Sequence, residues 1–253
     1  MSQYVFGSGV LWGTPLTDSA GNTIANPTPV IFGVLQEASV DISFENKTLH
    51  GQNQFPVAVG RGKGKVSGKA KAAKINGAIL NNIVFGQTVT NGIQSAVYDT
   101  TGATIPATPF TITPTIPGSG TWLADLGVVG PSGEVFTKVA SAPTANQYSV
   151  AAGVYTFAAA DTGKKVFISF SYTGTSTTAQ KSTVTNQLMG YAPTFKADLY
   201  MPYNGKSLLL SLPACISTKL TMATKLDDFM VPEFDFEAFA DASGNVLSWA
   251  TSE

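Results

Sequence analysis

The stretch that decides the fold runs from Ser39 to Ala72, SVDISFENKTLHGQNQFPVAVGRGKGKVSGKAKA. It opens on strict alternation: Val40, Ile42 and Phe44 point one way, Asp41, Ser43 and Glu45 the other, as in a half-buried strand. NKTLHGQNQ then reads as a polar loop of roughly ten residues, with Asn46, Lys47, His50, Gln52 and Gln54 as its contact-forming side chains. A second strand follows from about Phe55 to Ala72. Its odd positions carry Val57, Val59, Arg61, Lys63, Lys65, Lys69 and Lys71; its even positions carry glycine, alanine and Val66. One face is basic and the other almost bare.

A bare strand face needs bulky neighbours, because aromatic side chains cover strand glycines. The closing strand, about Phe229 to Asp241, has the matching pattern: Phe234, Phe236 and Ala238 on one side, Glu233, Asp235 and Glu237 on the other. Laid beside the Lys stripe, it would cover the glycines and neutralise the lysines together. Opposed charges across strands are worth ~0.2–1 kcal/mol per pair. The other reading of Arg61, Lys63, Lys65, Lys69 and Lys71 is a phosphate-contacting surface. Ion pairing, within a subunit or between subunits, is the one we carry forward.

Outward from these strands, Ile75, Ile79, Leu80, Ile83 and Val84 recur at helical spacing and Gly86 stops them, so the pattern predicts one short helix. The segment 88–186 has a different texture, rich in Thr and Pro. It has short alternating runs at Phe110–Thr115, Val135–Val139, Tyr148–Val150, Val154–Phe157 and Val166–Tyr172, the pattern of a small sandwich. Strong patterning returns at Thr194–Met201 and Ser207–Leu212, with a final short strand at Val246–Trp249 after the turn Asp241–Asn245. The expected architecture is mainly β: a barrel or sandwich core from residues 1–87 and 187–253 with one short helix, and a small β-sandwich domain inserted at 88–186.

Composition narrows the function. Of 253 residues, 43% are hydrophobic, enough for a real core, and only 12% are charged, about half the usual share. Net charge is −1, without the basic excess of a free nucleic-acid binder. A surface so poor in charge is prone to association, which suits an assembly subunit. One histidine and one cysteine fall short of a zinc ligand set, and His50 in a polar segment has no nucleophile beside it. Cys215, in the run LLLSLPACIS, reads as a buried structural thiol. RGKGK and SGKAK lack the strand–loop–helix spacing of a phosphate loop. Asp227-Asp228 and the Glu233, Asp235, Glu237 stripe would suit glycoside hydrolysis only if they flanked a cleft. No catalytic residue, cofactor or metal is expected, nor a signal peptide or membrane anchor.

Three stretches together resemble the tail tube proteins of tailed bacteriophages. They are QEASVDISFENKTLHGQNQFPVAVGRGKGKVSGKAKAAKINGAILNNIVFG, SLLLSLPACISTKLTMATKLDDFMVPEFDFEAFADASGNV and, for the sandwich, QYSVAAGVYTFAAADTGKKVFISFSYT. They cover just under half of the chain; none is a catalytic signature. The inserted domain is larger than a minimal tube subunit carries. The resemblance implies a non-enzymatic virion protein, made in the host cytoplasm and built into the tail. It implies six-membered rings whose inner strands join into one barrel, stacked into a conduit for DNA ejection. The implied partners are further copies of the chain, other tail proteins such as sheath, baseplate or terminator, and phage DNA passing through without specific binding. The polar segment around Asn46 to Gln54 would contact the next ring, and the insertion would sit outside the channel. Two alternatives remain, a capsid-decorating head protein and a carbohydrate-binding tail-tip module.

Overall fold

A computed structural model describes residues 4–74 and 77–252. The chain divides into two compact units: Met1–Thr88 with Ser182–Glu253, and Val89–Lys181. The insertion therefore ends at Lys181 rather than at 186. Its neck is a two-residue strand pair, Thr90–Asn91 with Gln180–Lys181, too short to carry any alternation.

The first unit opens with β1 (Val10–Pro15), β2 (Val30–Ile31), β3 (Leu35–His50) and β4 (Pro56–Ala72). A helix follows, α-helical at Gly77–Ile79 and π-helical at Leu80–Phe85. Ile79 and Ile83 enter the core, as their spacing requires; Ile75, part of the same pattern, lies outside the described residues. Gly86 ends the helix with φ +59° and donates to the Asn81 carbonyl. A side chain there would strike the Ser19 amide and Pro193.

The second unit holds β5 (Thr90–Asn91), β6 (Ile93–Val97), β7 (Ala103–Thr104), β8 (Thr111–Ile112), β9 (Thr121–Val129), β10 (Thr137–Lys138), β11 (Gln147–Ala151), β12 (Val154–Phe157), β13 (Lys165–Gly174) and β14 (Gln180–Lys181). One sheet runs β10-β11-β12-β8; the other gathers β6, β7 and β9 on β13. Tyr155, Phe170, Val128 and Val166 are buried in its core. β9, like β6, is a strand that the alternating runs of the sequence do not include. Two register shifts against β13 break its period, because each bulge inserts a residue that turns the side chains over.

The chain returns to the first unit through β15 (Thr194–Tyr203), β16 (Lys206–Thr221), β17 (Glu233–Ala238) and β18 (Ser248–Ser252). The strand order is β2-β1-β15-β16-β17-β4-β3, with β18 also on β16. Among the described residues the strands form no closed barrel. The sheet curls far enough for the Ser8 hydroxyl to donate to the Leu35 carbonyl at 2.6 Å, yet β1 and β3 do not pair. β16 runs straight through Pro213, where the sequence pattern appeared to end at Leu212. Register slips there, from Phe195 opposite Cys215 to Ala197 opposite Leu212, and a bulge tolerates a residue with no N–H to give. β17 is shorter than expected, because Phe229–Pro232 belongs to the preceding loop.

The core face of this sheet packs Phe195, Phe234 and Phe236 with Phe32 and Ile83. Phe236 lies opposite Gly68 and Phe234 opposite Ala70. Gly68 and Ala70 of β4 are thus the floor on which the β17 aromatics lie.

One local device occurs twice. In Asp18-Ser-Ala-Gly-Asn22 and in Asp241-Ala-Ser-Gly-Asn245, the Asp Oδ1 accepts from the amides two and four residues on. The glycine has φ +81° in both. The side-chain hydrogen bond from Asn22 holds the Asp18 carboxyl below its ordinary range; the Asn245 amide does the same for Asp241. The second turn is legible from its composition. The first goes unread until the shared D-x-x-G-N spacing is noticed.

Candidate assembly surface

The face of the sheet away from the core carries the charges. β4 lies between β3 and β17, with Lys71 opposite both Glu37 and Glu233 and Lys69 opposite Asp235. The two ion pairs between β4 and β17 run diagonally across this register, while the one between β4 and β3 is directly opposed. Lys69 pairs with Glu233. Lys65 reaches Glu237 at 2.6 Å. Lys71 turns the other way, to Glu37 at 2.5 Å, whose carboxyl it holds below the usual range by its hydrogen bond and its charge. Strand twist brings diagonal neighbours within reach of long side chains. Asp235 sits in register between Lys69 and Lys219 on β16. The face continues onto β15, where Lys196 meets Asp198 at 2.9 Å.

Two members of the expected stripe do not join this pattern. Between Phe44 and Asn46, two residues of β3 match three of β4, so that Asn46 faces Arg61. That bulge turns Arg61 to the Phe44 side, where its guanidinium carbon lies 4.0 Å from the ring centroid. Lys63 lies beyond Glu237, the last acid of β17, and has no ion-pair partner among the described residues.

The expected ten-residue loop is also corrected. Asn46, Lys47 and His50 belong to β3, paired with Arg61, Gly60 and Pro56. Only Gly51–Phe55, with Gln52 and Gln54, forms the turn. The hairpin continues as a two-stranded ribbon after β17 has stopped at Ala238, opposite Val66. Every residue from Asp41 to Lys65 is exposed, including Leu49 at 66%, Phe55 at 80% and Val57 at 73%. With both faces in solvent no burial alternation exists, and the polar ribbon looks like a loop in sequence. Beside it, a groove of about 790 Å³ is lined by Ile42, Phe44, Phe239, Val246 and Leu247 among others; neither a carboxylate nor a tryptophan lines it.

In the second unit the buried polar centre is Asp125. It accepts from Tyr148 Oη at 2.8 Å, Tyr155 Oη at 3.2 Å and the Gly127 amide at 3.1 Å, and pairs with Lys138 Nζ at 3.2 Å. These partners come from β10, β11 and β12, so the group ties the two sheets together. Asp161, fully buried, accepts from the Asn146 amide and pairs with Lys164. Each carboxylate is consumed by structural hydrogen bonds.

Among the described residues no cluster of three His, Cys, Asp or Glu could hold a metal ion, and no helix is long and apolar enough to cross a membrane. Cys215 is fully buried, and burial pushes its thiol up to about 12. Since the thiolate is the reactive form, iodoacetamide should leave Cys215 untouched in the native protein at mildly alkaline pH and alkylate it in denaturant. Mass spectrometry reads the difference, and rapid native labelling would contradict the burial. No family model matches the chain, and no curated protein matches it.

Proposed function

We propose that this chain is a structural subunit that joins with copies of itself into stacked rings, forming the tube of a phage tail through which DNA passes. The observation that carries the reading is the β3–β4 ribbon. A two-stranded hairpin is marginal in water by itself, and a long exposed edge strand is a template for pairing. Here, among the described residues, no strand pairs with the outer edge of β3 (Leu35–His50), and the ribbon exposes Leu49, Phe55 and Val57. Such an element is completed by neighbours, and a ring of identical subunits supplies them at every position.

The charged face supports the same reading. A conduit for DNA must not grip phosphate, and free Lys or Arg contacts would do so. Lys65, Lys69 and Lys71 are each paired with a glutamate, which leaves that face polar with its positive charge neutralised. In the tube it lines the channel. Electron microscopy of the purified chain tests this: tubes of uniform width are the expected result. Monomers that stay dispersed at high concentration, or trimers that bind only to capsids, would refute it.

A further inference from the structure

Two of the groups held by Asp161 are able to react with each other. Asp161 lies in the second unit with none of its side chain exposed. Its Oδ2 accepts from the Asn146 backbone amide at 2.8 Å, and its Oδ1 meets Lys164 Nζ at 2.7 Å. The same lysine nitrogen donates to Asn146 Oδ1 at 2.8 Å. An amine nitrogen therefore lies against a carboxamide, with a buried carboxylate as its second neighbour.

The three residues come from separate turns. Asn146 directly precedes β11 with φ +61°, and its carbonyl accepts from the Thr137 amide at 3.0 Å. Asp161 ends a short 3-10 turn, Ala159–Asp161, and Lys164 directly precedes β13. The buried Phe136 places its ring centroid 6.0 Å from Lys164 Nζ. The asparagine backbone is tied on both sides and the aspartate through both oxygens, so the two groups are oriented before any reaction. The other ion-paired lysines among the described residues meet carboxylates, whose negative charge repels a nucleophile. Lys164 also meets a carboxamide, which does not.

We propose that Lys164 and Asn146 join in an isopeptide bond, with Asp161 moving the protons. Asp161 takes a proton from the Lys164 ammonium, and the free amine attacks Cγ of Asn146. The Nζ–Cγ bond forms and the carbonyl electrons move onto Oδ1. As they return, the Cγ–Nδ2 bond breaks; Asp161 gives its proton to Nδ2 and takes one from Nζ. Nitrogen leaves as ammonia, which carries off the remaining proton as ammonium, and Asp161 ends ionised as it began. No oxidant or cofactor is consumed. The bond spans 18 positions of chain and ties β11 in one sheet to β13 in the other.

Mass spectrometry of the folded, full-length chain tests this. The expected intact mass is that of the sequence less one ammonia, and tandem spectra of a digest should show the Asn146 peptide joined to the Lys164 peptide. An asparagine before glycine, as at Asn91 and Asn204, also sheds ammonia on closing to a succinimide, so the joined peptides decide. Lys164→Arg keeps the charge without the amine and should give unlinked peptides. Wild-type chain isolated and held in denaturant should also be unlinked, then release one ammonia per chain and become linked on refolding, which excludes misfolding of a variant as the cause. Asp161→Asn carries no proton, and linkage at the wild-type rate in that variant would overturn the role of Asp161. Free Asn146 and Lys164 peptides from the folded wild type overturn the bond itself, whatever the intact mass and whether or not tubes form.

Discussion

Asp125→Ala is expected to cost the inserted sandwich about 3–5 kcal/mol, the range for removing one member of a buried, hydrogen-bonded charge group. The side chain of Asp125 is only 5% exposed. Its loss strands the hydroxyls of Tyr148 and Tyr155, which are 3% and 0% exposed, because no other acceptor among the described residues meets them. Hydrogen exchange on the full chain should show β11 and β12 losing protection while β15 and β16 keep theirs. Unchanged protection at Tyr148 and Tyr155 would rule out the tie between the sheets.

The same residue sets an acid limit. Burial raises the Asp125 carboxyl, but hydrogen bonds from Tyr148, Gly127 and Lys138 outweigh it and leave the folded value below the ordinary 3.8. A depressed carboxyl stabilises the fold above its unfolded pKa and loses that contribution as pH falls through the folded value. The gap in stability between the wild type and Asp125→Asn should therefore be full near neutrality and shrink below about pH 4. Urea melts across that range measure it, and a gap independent of pH would contradict the assignment.

Gly68→Ala is expected to destabilise the first unit by about 3 kcal/mol, the upper part of the range for overpacking a core. A β-carbon at Gly68 would overlap the Phe236 ring. Phe236 has nowhere to retreat: its ring stacks on Phe234 at 5.6 Å and meets Phe195 edge-on at 5.7 Å. The thermal midpoint should fall by ~6–12 °C. Gly68→Ala combined with Phe236→Leu should melt above Gly68→Ala alone, since the smaller side chain vacates the space. Equal melting of Gly68→Ala and wild type would show that the aromatic cover is not tight.

These two sites differ in how far the sequence reveals them. Gly68 and Phe236 were readable together, because a bare strand face and an aromatic strand face each show period two and each lacks what the other has. Asp125 was not readable. Its strand is bulged, its partners lie on three other strands, and nothing in TWLADLGVV marks one carboxylate as buried.

The mainly-β class, the short helix, the inserted sandwich and the complementary faces of β4 and β17 are all legible in the order of the residues. All of these rest on periodicity, which local backbone geometry imposes on any residue in a strand or helix. Which lysine meets which glutamate, that Arg61 leaves the basic stripe, and that the polar segment after Glu45 is a ribbon of strand emerge only from the three-dimensional arrangement. Each of those depends on register, on one-residue bulges and on where a neighbouring strand stops. Such features are set by contacts between segments far apart in the chain, and period two carries no record of them.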